Sequence, residues 1–140
     1  MLFNFYKDIR AKLQPIPDLK AIDWFNNQYE GVIAVAPVIF IEFPKELKFD
    51  QASFDHRETT LIIRLHVVSA AVANQDGSIK DDVIQEHEAI AERAIKLVEA
   101  ARITGVDGEM SRLIFTGYSH YHRHKGWMVT LLDFETDIFV

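Results

Sequence analysis

The sequence predicts a single α+β domain spanning residues 1–140: an antiparallel or mixed sheet of about four strands, packed on one face by a short N-terminal helix and a long helix over 82–103. Three observations predict it. Apolar residues recur at helical spacing over 2–13 and 82–103. Four other segments are β-branched and aromatic or alternate apolar with polar residues. The resulting order, helix, strand, strand, helix, strand, strand, suits helices laid on one face of a sheet. With 49% hydrophobic and 26% charged residues, the 140-residue chain has the balance of a globular domain able to bury one core.

The first helix is read over 2–13, where Leu2, Phe5, Tyr6, Ile9 and Leu13 form one stripe. Pro15 and Pro17 end it, because proline cannot continue the helical hydrogen bonds. Residues 18–30 are ambiguous between a strand and an irregular helix, closed by Gly31. The run 35–43 is a strand by its β-branched and aromatic content; Pro37 sits near its start, where a missing donor costs least, and Pro44 stops it. A polar connection over 45–57 follows.

The clearest strand is Thr59 to Ala70. Leu61, Ile63, Leu65 and Val67 share one face; Thr60, Ile62, Arg64, His66 and Val68 share the other. One apolar and one mixed face predict a sheet covered on one side. The segment Asn74-Gln-Asp-Gly is a turn. The helix over 82–103 carries Val83, His87, Ile90, Ala94, Leu97, Val98 and Ala101 on its apolar stripe, with Asp82 as the expected N-cap and Gly105 as the C-cap glycine. Two strands close the chain, Leu113 to about His120 and Gly126 to Phe139. Met128, Leu132, Phe134 and Ile138 lie on one face of the last.

Composition removes several function classes. The net charge of −6 disfavours the broad basic face that tracks nucleic-acid phosphates. There is no cysteine, hence no disulfide, thiolate metal site or cysteine nucleophile, which fits a reducing, cytoplasmic setting. The N-terminus does not read as a signal peptide, and the longest apolar run, Val32 to Ile41, is too short to span a bilayer. The six glycines form no phosphate loop, and no serine sits in a Gly-x-Ser-x-Gly elbow.

The stretch 119–127, Ser-His-Tyr-His-Arg-His-Lys-Gly-Trp, holds three of the six histidines. On a strand His120, His122 and His124 share one face, and imidazole suits zinc, nickel or iron. The first and third then stand roughly 13 Å apart at about 3.3 Å per residue, too far for one ion unless the chain turns. A metal site would therefore use His120, His122 and, from a neighbouring strand, His66. The competing reading is a polar crossing between the last two strands, and it is preferred because no Glu or later His completes a ligand set. His87, on an apolar stripe with Glu86 and Glu88 beside it, reads as a partly buried, hydrogen-bonded histidine. Asp133, Glu135 and Asp137 alternate on one strand face, as a solvent-facing or intersubunit row that would meet basic residues such as Arg57, Arg64 or Arg112 on another subunit. With Arg123 and Lys125, the residues Arg64, Asp133, Glu135 and Asp137 are the interface candidates.

The segments Ala21-Ile-Asp-Trp-Phe-Asn-Asn-Gln-Tyr and Ala36-Pro-Val-Ile-Phe-Ile-Glu-Phe-Pro resemble the front half of phage and prophage tail-terminator, or tail-completion, proteins. The strand 59–70, the helix 82–103 and the closing Trp127-Met-Val-Thr-Leu-Leu-Asp-Phe-Glu-Thr-Asp-Ile-Phe follow the same plan over nearly the full length. The turn departs from it, being histidine-rich where Asp and Asn are expected. The resemblance implies a non-enzymatic virion assembly protein without catalytic residues; no cofactor is expected, and charge and run length argue against a nucleic-acid or membrane partner. It implies a homo-oligomeric ring, commonly a hexamer, docked on the tail tube or head–tail connector, cytoplasmic during assembly and then part of the virion. The alternative is a metal-binding protein or metal-dependent enzyme built on the histidine cluster.

Overall fold

A computed structural model of the chain describes residues 1–51, 57–100, 109–110, 112–121 and 123–139. Helix α1 runs Leu2–Leu13 and helix α2 Asp81–Glu99. Seven strands among the described residues form one sheet: β1 (Ala21–Trp24), β2 (Val38–Glu42), β3 (Asp50–Gln51), β4 (Arg57–Ala70), β5 (Glu109–Met110), β6 (Ile114–Tyr121) and β7 (Trp127–Phe139). The long strands β2, β4, β6 and β7 are the four expected from sequence. The additional β1, β3 and β5 are four, two and two residues long, below the length at which an alternating pattern stands out.

The sheet is mixed. β4 is central, antiparallel to β2 on one side and to β7 on the other, while β1 lies parallel to β2. β6 and β5 pair with the far side of β7. The ambiguous segment 18–30 resolves into β1 and a 3-10 turn at Gln28–Glu30.

Register explains the core. Leu65 opposes Leu132, Ile63 opposes Phe134, and Ile41 opposes Leu65, so their side chains share one face. α1 lays Phe5, Ile9 and Leu13 on that face; α2 adds Ile90, Ala91, Ala94 and Val98. Each fully buried Leu or Ile there contributes about 1.5–3 kcal/mol of burial.

The second face is not left bare, which corrects the expectation of a sheet covered on one side. The crossover from β1 to β2 lays Phe25, Tyr29 and Ile33 over Val38, Phe40, Val68 and Val129, a smaller second core. A parallel pair forces such a crossover, because the chain must return to the same end of the sheet. Asp82 is not the N-cap of α2. Lys80 holds that position with extended backbone, and Asp81 and Asp82 fall in the first turn, where the helix dipole favours them. The expected end of this helix at 103 and its Gly105 cap lie outside the described residues.

Candidate functional site: two histidine networks on opposite faces of the sheet

β4 and β7 place polar side chains at the middle of both faces, and histidines organise each set. On the face under the crossover, His66 of β4 is buried, with its Nε2 2.6 Å from Glu42 Oε2 of β2 and its Nδ1 2.9 Å from the Tyr29 hydroxyl. A carboxylate can only accept, so Nε2 carries the proton and Nδ1 accepts from Tyr29. Phe25 stacks on the His66 ring at 4.3 Å, and Tyr29 stacks on His124 at 3.8 Å. Burial pushes His66 below the ordinary histidine range, and the Glu42 carboxylate only partly offsets this. Burial first, then the Glu42 charge, pushes the Tyr29 phenol above its usual range.

Beside this set, Arg64 makes a two-point ion pair with Asp133, Nε to Oδ1 at 2.8 Å and Nη2 to Oδ2 at 3.1 Å. The two stand directly opposite across β4 and β7. The hydrogen bond to Asp133 raises the Arg64 pKa further.

On the helix face, His87 of α2 is enclosed, with Nδ1 2.7 Å from Ser69 Oγ and Nε2 2.8 Å from Thr130 Oγ1. Thr130 also reaches His120 Nδ1 at 3.1 Å, and His120 Nε2 lies 3.3 Å from Glu88. The Tyr118 hydroxyl donates to the other Glu88 oxygen at 2.6 Å. The Glu88 charge 3.3 Å from His120 Nε2 favours the proton on that nitrogen. Thr130 then donates to His120 Nδ1, His87 donates to Thr130, and Ser69 donates to His87. Burial lowers the His87 pKa. Burial and then the Glu88 bond raise that of Tyr118.

The sequence-predicted residues therefore separate. His66 and His120 sit on opposite faces of the sheet and cannot share an ion, which corrects that ligand set. His124 leaves the strand, stacks on Tyr29 and heads the turn closed by Gly126, whose φ is +85°. The expected single face for His120 and His124 is thus lost at the turn, while His122 lies outside the described residues. The described part of the turn between β6 and β7 holds His124, which is half-buried, whereas His120 lies within β6. Among the described residues no group of three or more His, Asp or Glu side chains is arranged to hold a metal ion. Arg64 and Asp133 answer each other within one chain, so Asp133 does not depend on a neighbouring subunit for a cation. Asp137 accepts from Thr60 Oγ1 at 3.2 Å, and Glu135, Arg123 and Lys125 are exposed.

Sequence reading missed Ser69, Thr130, Tyr29 and Glu42. Their partners lie 18, 43, 37 and 24 positions away, so no local spacing announces them. Chemically, Ser69 against His87 has the contact of a nucleophile and its base, and both border a groove of about 680 Å³ between α2 and the loop before β1. The group that orients His87 is a neutral hydroxyl, however, where such a pair uses a carboxylate. Both networks spend their donors and acceptors within the chain and tie strands to helix and crossover.

No protein-family model matches the chain, and no curated protein matches it in sequence. Solved structures do match. One is a chain from the virion of a native gene transfer agent (GTA) particle, with TM-score 0.71 and 11% identity over 96% of this chain and 94% of that one. The fold of this chain is thus the fold of a virion-particle chain, from end to end. Among the described residues no helix is long and apolar enough to cross a membrane.

Proposed function

We propose that the chain is a virion structural protein of a phage or phage-like particle. In this reading it acts as a tail terminator, self-associating into a ring, of six copies by family analogy, and docking on the tail tube or head–tail connector. The observation that carries this is the end-to-end fold match to a gene-transfer-agent virion chain, with 96% and 94% of the two chains covered. The sequence resemblance to tail-completion proteins supports it independently. So does the closure of both histidine networks within the chain, which leaves them a structural role. A structural role of this kind needs no cofactor and no catalysis.

The docking surface toward tube or connector is proposed on the part of the sheet that the crossover leaves open. Arg64, Asp133, Glu135 and Asp137 lie there in register on β4 and β7, while Arg123 and Lys125 stand at the β6–β7 turn, on the far side of the crossover. Such a mixed charged face suits a polar, reversible contact.

The test is light scattering and electron microscopy of the purified protein, alone and with polymerised tail-tube subunits from the same particle. Ring-sized assemblies, or caps on tube ends, are expected. A protein that stays monomeric and fails to co-sediment with tubes refutes the proposal.

A further inference from the structure

The two lateral flanks of the molecule carry opposite charge. On one flank α1 packs over β1, the terminal strand of the sheet. Tyr6 meets Trp24 edge-on at 5.3 Å, Lys7 lies over the Phe3 ring and Arg10 over the Tyr6 ring. Phe3 is 60% exposed and Trp24 42%. This flank is aromatic and cationic, with Asp23 as the acidic residue on the strand's other face.

The opposite flank is β6 with α2 above it. β6 pairs only with β7 among the described residues, so its outer edge faces away from the sheet. Ile114 is 59% exposed and Tyr118 39%. Glu88 of α2 holds Tyr118 and His120, and the Glu92 charge also acts on Tyr118, which fixes the side of α2 that looks over β6. Asp81, Glu88, Glu92 and Glu99 follow at intervals of seven, four and seven, so all four lie along that side. Arg112, two residues before β6, and Lys96, four residues past Glu92 on α2, are cations on this flank, outnumbered by the four carboxylates.

We infer that the α1/β1 flank of one copy docks head to tail on the β6/α2 flank of a second copy of this chain. This rests on the self-association proposed above. The two flanks are complementary: Lys7 and Arg10 meet the acidic row of α2, and the exposed Phe3 and Trp24 meet Tyr118, which faces α2, while Ile114 stands on the other face of the same edge strand. Charge of this kind sets orientation and partner choice, while buried aromatics anchor the contact. Two different patches on one subunit make a heterologous contact, the kind that closes into a ring. Each contact would also cover two strand edges that are otherwise templates for unwanted pairing.

The experiment uses two charge-reversed full-length chains, Lys7→Glu/Arg10→Glu and Glu92→Lys/Glu99→Lys, each checked for fold by circular dichroism. Masses are read by light scattering at low salt, with and without polymerised tail-tube subunits. Wild type is expected to assemble, and each variant alone to stay monomeric. An equimolar mixture is expected to regain the wild-type mass, because each reversed flank then meets an opposite one. Either variant assembling like wild type, or a mixture that stays monomeric, overturns the assignment of these flanks. A wild type that never assembles, with or without tubes, defeats the self-association reading itself.

A second arm covers variants that fold poorly. The chain has no cysteine, so Asp23→Cys/Ser119→Cys puts one thiol on each flank. A short bismaleimide should then give a ladder of linked copies, because the two thiols lie at opposite ends of one sheet. Monomer alone, or links only to the tube subunit, rejects a second copy as the occupant.

Discussion

The Tyr29 hydroxyl donates to Nδ1 of His66 at 2.9 Å, tying the β1–β2 crossover to the central strand. The bond depends on a proton assignment made elsewhere. Glu42 holds the proton on Nε2, which leaves Nδ1 free to accept. Tyr29→Phe keeps the ring that stacks on His124 and removes only the donor. The buried Nδ1 is then left without a partner, at a cost of about 1–3 kcal/mol. Urea denaturation should show that loss with an unchanged far-ultraviolet dichroism spectrum. A variant as stable as wild type would show that water satisfies this nitrogen.

Stability should fall as the solution is acidified below about pH 6.5. His66 and His87 are both held below the ordinary histidine pKa by burial. The unfolded chain, with histidines near 6.5, therefore binds more protons than the folded chain in the window beneath that value. The stability from keeping both rings neutral is complete above about 6.5 and is lost as pH falls through the folded pKa values. Each histidine contributes a slope of at most about 1.4 kcal/mol per pH unit. Denaturation midpoints at pH 7.5, 6.5 and 5.5 test this, and a flat profile contradicts it. His87→Gln should flatten the profile in part, since it removes one of the two groups.

The frame of this protein is legible in its sequence because β4, β7, α1 and α2 each bury one face. Leu61, Ile63, Leu65 and Val67 alternate without a break, and all four are fully buried. The pieces that are not legible are short or non-local. β3 and β5 have two residues each, and their existence depends on β4 and β7 passing by. The second core depends on a parallel pairing of β1 with β2 that no periodicity encodes. The histidine run misleads because spacing along the chain says nothing of the turn at Gly126, which turns His124 away from His120. His87 is readable from its stripe as a partly buried, bonded histidine, though it is in fact fully enclosed, and its partners Ser69 and Thr130 are not readable.

The Arg64–Asp133 pair should be coupled, though modestly. It is two-pronged and partly buried, with side-chain exposures of 33% and 26%. Two-point geometry favours it, and solvent still screens it. A double-mutant cycle with Arg64→Met and Asp133→Asn is expected to return a coupling of about 1 kcal/mol. Coupling near zero would mean that Arg64 exchanges freely between Asp133 and Glu42, its neighbour on β2.

Zinc or nickel should leave the melting temperature unchanged, since a metal that binds the folded state must raise it. The same residues bear on folding. Replacing His120, His122 and His124 together with Asn should cost no more than about 1–2 kcal/mol, because His120 is exposed and Asn still offers Thr130 an acceptor. Cooperative unfolding is expected to survive. A metal-induced rise in melting temperature would restore the metal-binding reading. Loss of cooperative unfolding in the triple variant would place the segment in the core.

Thr130 is the residue on which the helix-face network turns. Its single hydroxyl accepts from His87 and donates to His120, and the side chain is fully buried. Thr130→Val preserves shape and β-branching, so packing is nearly unchanged and the loss falls on hydrogen bonds. His87 Nε2–H is then buried without an acceptor, at a cost of about 1–3 kcal/mol. The ring has one way to recover, by moving its proton to Nδ1 and donating to Ser69. Nitrogen-15 spectra of the imidazoles separate these outcomes. Wild type should show His87 protonated at Nε2, the order that Glu88 favours through His120 and Thr130. In Thr130→Val the signal should shift toward the Nδ1 form, and urea denaturation should show the lost stability. Wild-type His87 already protonated at Nδ1 would reverse the proton order from Ser69 to Thr130, with His120 then donating to Thr130.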